Sequence, residues 1–120
     1  MNDDLTFTLA RHHPRRRSAA MLECGRDAHE ENWNRPQCRA EIERRLDLLN
    51  PTCSKASREA ARSEWRIFTD PDVRPHIDFI ERRVLQIVLN PGLPRYNALL
   101  VAAGRWVRRH GIRALAEWAP

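Results

Sequence analysis

The chain has 120 residues, 21 basic against 16 acidic side chains, a net charge of +5 and an apolar fraction of 42%. That length holds one domain with one modest core, and the composition is that of a globular chain, not a disordered one. No apolar run is long enough to span a bilayer, while 4 glycines and few alternating β-branched runs argue against sheet.

Twenty of the 21 basic residues are arginine, and Lys55 is the sole lysine. The guanidinium is a planar fork suited to phosphate, carboxylate and aromatic faces. GC-rich codons also raise arginine content, so only the placement of these residues carries functional meaning. Charge is uneven: residues 1–17 carry +2, residues 18–34 carry −3 and residues 91–120 carry +4.

Residues 1–17 read as a flexible basic arm, with Arg15, Arg16 and Arg17 closing the run Arg11-His12-His13-Pro14-Arg15-Arg16-Arg17. Such arms neutralise phosphates and can enter a minor groove. Residues 18–120 read as one helical domain. A short helix is expected over 19–31 around Met21 and Leu22, with Gly25 as its weak point. Asn34 and Pro36 open the next helix, which runs to Leu49 before Asn50-Pro51 stops it. Its residues Cys38, Ile42, Leu46 and Leu49 fall in a stripe about 80° wide.

Thr52 or Ser54 can cap a helix over 54–68. Ala56, Ala60, Ala61, Trp65, Ile67 and Phe68 occupy its broad apolar side. Opposite them, Lys55, Arg58, Arg62 and Arg66 span about 80° and form a single basic ridge. Thr69 to Pro75 read as a turn with Asp70 as a cap and Pro71 at a first helical position, and Pro75 puts the start of the main helix there rather than at Pro71, covering 76–89. Ile77, Ile80, Val84, Ile87 and Val88 share one face there, while Leu85 and Leu89 lie opposite as a potential partner interface. Pro94 opens an amphipathic helix that ends at Gly111. Arg105, Arg108 and Arg109 cluster on its polar side. A last short helix is expected over 112–118.

Enzyme signatures are nearly absent: there is no glycine-rich phosphate loop, metalloprotease helix or strained serine turn. The densest titratable group is Cys24, Asp27, His29, Glu30 and Glu31, in which a thiol–imidazole pair is conceivable but a solvated acidic face is favoured. Three cysteines at Cys24, Cys38 and Cys53 fit neither a disulfide framework nor paired zinc spacing. No cofactor, no metal and no catalysis are expected.

Two adjacent helices, 37–49 and 54–68, with the basic ridge on the second, match the layout of a helix-turn-helix. The alanine-rich helix from Ala56, followed by Phe68-Thr69-Asp70-Pro71-Asp72-Val73 and Ile77, distantly resembles the helix-turn-helix region of phage terminase small subunits. This covers about a quarter of the chain and lacks the Gly-Tyr-Ser turn of that family, so it is not a basis for membership. The resemblance would imply DNA binding and oligomerisation in genome packaging.

The expectation is therefore an all-α bundle of four to five short helices with a basic arm. Its function would be that of a nucleic-acid-binding accessory or regulator of the cytoplasm, of phage, plasmid or GC-rich bacterial origin. Phosphate contacts would come from Arg15, Arg16, Arg17, Lys55, Arg58, Arg62, Arg66, Arg105, Arg108 and Arg109. The alternative is a protein-binding adaptor or inhibitor, or a homodimer, that uses Leu85 and Leu89 with arginines against an acidic partner. No membrane association is expected.

Overall fold

Capping residues and prolines place the helix ends close to where local chemistry puts them. The computed structural model describes the backbone of residues 14–49 and 52–120, with side chains from Arg17 onward. Residues 1–13, and the side chains of Arg15 and Arg16, lie outside the described residues. The first helix, α1, spans Pro14–Glu30, so it begins inside the stretch expected to be an arm. It ends where Asn32 takes the left-handed conformation at φ 51. There Asn32 N–H donates to the His29 carbonyl and Trp33 N–H to the Ala28 carbonyl, a Schellman closure that satisfies the last carbonyls.

Helix α2 spans Arg35–Leu46. Asn34 caps it through a reciprocal box in which Gln37 N–H donates to Asn34 Oδ1 and Asn34 N–H to Gln37 Oε1, both at 2.9 Å. Helix α3, Lys55–Thr69, starts on the Ser54 cap. The stretch after Thr69 is a turn, as expected, in which Asp70 Oδ1 accepts from Asp72 N–H at 2.8 Å. A 3-10 segment, Arg74–His76, leads into α4, Ile77–Leu85. That helix stops short of the expected 89, although Val88 is still buried beyond its end. Helix α5 spans Pro94–His110 and ends at Gly111, whose φ of 87 favours glycine. A 3-10 segment, Ile112–Glu117, replaces the expected last helix. Among the described residues there is no strand, and the fold is all-α: five α-helices and two 3-10 segments.

Helix α3 packs on α1, α2 and α5. Its Phe68 is fully buried, and two glycines let neighbouring helices close on it: Gly25 of α1 and Gly104 of α5. The stripe Cys38, Ile42, Leu46 and Leu49 is buried as expected, as are Ile77, Ile80 and Val84. Leu85, expected on an outer interface, packs instead against the core.

Two buried arginines tie the helix ends together. Arg74, 7% exposed, donates from Nη1 to the carbonyls of Trp33 at 2.9 Å and Thr69 at 3.2 Å, and from Nη2 to Asn32 Oδ1. It thus closes the ends of α1 and α3, where carbonyl dipoles converge and favour a cation. Arg45, 5% exposed, bridges Asp27 of α1 and Glu41 of α2 at 2.7 and 2.9 Å, with its guanidinium over the Trp33 ring. Burial works against its charge, but bonds to Asp27 and Glu41 win and raise its pKa.

Candidate nucleic-acid interface

The sequence-expected basic groups fall into two sets, those engaged by the fold and those left facing solvent. Arg17 belongs to the first set. Its guanidinium pairs with Glu64, a buried carboxylate of α3 that also accepts from Asn97 Nδ2 at 3.3 Å, while Ser18 Oγ donates to Asn97 Oδ1 at 3.0 Å. Arg17 is therefore a link between α1, α3 and α5, where the sequence suggested a loose phosphate contact. A carboxylate buried this deeply needs a cation and donors around it, which fixes Arg17 in place.

The ridge on α3 also divides. Arg62 Nε donates to Glu43 of α2 at 2.7 Å, and the same guanidinium pairs with Glu59. These bonds to Glu43 and then Glu59 raise the arginine's pKa, and the Arg62 bond in turn holds Glu43 below its ordinary value. Arg58 Nη1 donates to the Leu46 carbonyl at 2.9 Å, capping the end of α2. The four residues thus do not present one uninterrupted ridge to solvent. Two of them fasten α3 to α2, and only Lys55 and Arg66 are exposed. The helix expected to enter a groove as a recognition element is packed by three neighbouring helices, α1, α2 and α5.

The α5 group separates as well. Arg105 lines a hollow beside Arg17, Glu64 and Asn97. Arg108 lies on another side and Arg109 is exposed. In the partner-interface pair, Leu89 is 84% exposed while Leu85 is drawn toward the core.

Tertiary packing brings together a different set. Arg35 and Arg39 of α2, Arg66 of α3 and Arg108 of α5 line one depression of about 280 Å³, floored by Cys38, Ile42 and Thr69. All four arginines are exposed, and among the described residues their side chains show no hydrogen bond or ion pair, although Arg66 helps to hold Glu43 below its ordinary value. The one carboxylate at the rim is Asp70, whose Oδ1 is already bonded to the Asp72 amide. Four planar forks around a single acid can receive more than one phosphate oxygen pair. Arg66 and Arg108 were among the residues expected to meet phosphate, whereas Arg35 and Arg39 were missed. The available signal was their i,i+4 spacing on the face of α2 next to Cys38, but nothing local joins that face to α5.

The remaining chemistry is sparse. Cys24, Cys38 and Cys53 are free and buried. Burial pushes the Cys24 thiol up to about 12, so it stays protonated at neutral pH, and His29 is exposed at the far end of α1. Among the described residues no group of three or more His, Cys, Asp or Glu could hold a metal ion. No helix among them is long and apolar enough to cross a membrane. The chain matches no protein-family model, no curated protein and no solved structure at a significant level.

Proposed function

We propose that this chain is a small non-catalytic nucleic-acid-binding accessory or regulatory protein that receives backbone phosphates at the Arg35, Arg39, Arg66 and Arg108 depression. The observation that supports the reading is that four exposed arginines from three helices line one depression with a single carboxylate. The fold engages Arg17, Arg45, Arg62 and Arg74 in internal bonds, which makes the unengaged group stand out from the general arginine excess. Like-charged side chains held close together repel each other, and a polyanion relieves that repulsion while releasing its own condensed counterions. Lys55 and Arg109 are also exposed but do not line the depression. Contacts of this kind position a protein on a duplex or strand without reading bases, so the expected binding has weak sequence preference.

Fluorescence anisotropy with random duplex and single-stranded DNA at two salt concentrations tests the reading. The double variant Arg39→Gln/Arg108→Gln should weaken binding by about tenfold or more, while its circular dichroism and melting curve stay those of wild type. Equal binding by variant and wild type overturns the assignment.

A further inference from the structure

A second hollow, of about 500 Å³, lies between α4 and the 3-10 segment Ile112–Glu117, and it shares no residue with the arginine depression. One wall carries Phe79, Arg82 and Arg83; the other carries Ile112, Arg113 and Leu115. Its surface is mostly apolar, three arginines surround it, and no carboxylate lines it. Phe79 is 58% exposed, one of three large apolar side chains that stand out from the described surface. Arg83 is committed on one edge, with Nη2 donating to the Trp118 carbonyl at 2.9 Å and Nη1 to Gln86 Oε1 at 3.2 Å. Its Nε is shut away from water and has no hydrogen-bond partner among the described residues. Arg82 and Arg113, both exposed, stand at a hollow that no acid lines, so charge complementarity there favours an incoming carboxylate.

We propose that this hollow docks an acidic protein segment carrying one aromatic or aliphatic anchor. The anchor would sit against Phe79, Ile112 and Leu115, and flanking carboxylates would meet Arg82 and Arg113. A volume of this size suits one large side chain with its neighbours, and buried apolar anchors ringed by charge complementarity are the usual source of affinity at small interfaces. The Arg82 guanidinium lies over the Phe79 ring at 5.7 Å, so a carboxylate meeting Arg82 would stand beside an anchor on Phe79.

The test is anisotropy with a fluorescein-labelled peptide, Asp-Asp-Leu-Asp-Phe-Asp-Asp, against a control in which lysine replaces every aspartate. The acidic peptide should bind wild type in preference to the control. Phe79→Ala and Arg113→Glu, both at exposed positions, should each weaken it by about tenfold. Arg39→Gln/Arg108→Gln should leave it unchanged, which separates this site from the proposed phosphate site. The proposal is overturned by equal binding of the two peptides, by full binding to Phe79→Ala, or by displacement of the peptide with oligothymidylate. It is also overturned if wild type is a dimer that Phe79→Ala dissociates, since a second copy would then fill the hollow.

Discussion

Gly25 shows how one residue changes meaning between sequence and structure. Read along the chain it is a weak point in a helix, because glycine is a poor helix former. In the fold it is a crossing point: a Cβ there would stand 2.5 Å from the Phe68 carbonyl oxygen and 2.6 Å from Ile77 Cδ1. A backbone oxygen cannot swing aside, so Gly25→Ala forces α1 away from α3. The expected cost is about 1–3 kcal/mol, read as a lower urea midpoint at unchanged slope. Arg74 makes a similar point. It lies in a proline-flanked turn that reads as surface, yet it is buried and bonded to carbonyls from two helix ends. Sequence gives no sign of this, because the acceptors are backbone atoms brought there by the tertiary fold.

At the scale of elements, the pairing of α2 with α3 is electrostatic on its outer side and apolar within. Across it, Glu43 is held below its ordinary value by Arg62; within α2, Glu41 is held low first by the Arg44 hydrogen bond and then by Arg45. For a carboxylate whose folded-state pKa is depressed, the unfolded chain takes up its proton first as pH falls. The stabilisation is therefore full above the ordinary value of 4.5 and disappears as pH drops through the lower folded-state value. Urea midpoints should be level near neutrality and decline below about pH 4.5. Glu41→Gln should flatten part of that decline; an unchanged profile would remove this carboxylate from the acid response. Glu43 should contribute less, since exposed pairs are worth about 0–1 kcal/mol. The helix starts here were legible from Asn34, Ser54 and Pro94 because capping is a local interaction. The early end of α4 was not, because Ile87 and Val88 remain packed without being helical.

For the whole molecule, the question is how many of its cations can meet a polyanion at once. If all ten expected residues met duplex phosphates, the logarithm of the binding constant would fall against log salt with a slope of about −9. The four-arginine depression predicts a slope of about −3 to −4, measurable in the same anisotropy titrations. A value near −9 would return Arg17, Arg58 and Arg62 to the interface and require their internal bonds to open.

The amino-acid order alone determined the all-α class, the capped helix starts and most of the buried faces. Those properties follow from hydrogen bonds and side-chain periodicity within a few turns of chain. It did not determine which arginines remain available. Arg62 reaches Glu43 across 19 positions and Arg17 reaches Glu64 across 47. A guanidinium on a long side chain takes the nearest carboxylate or carbonyl in space, and only the packing of α1, α2, α3 and α5 decides which acceptor that is.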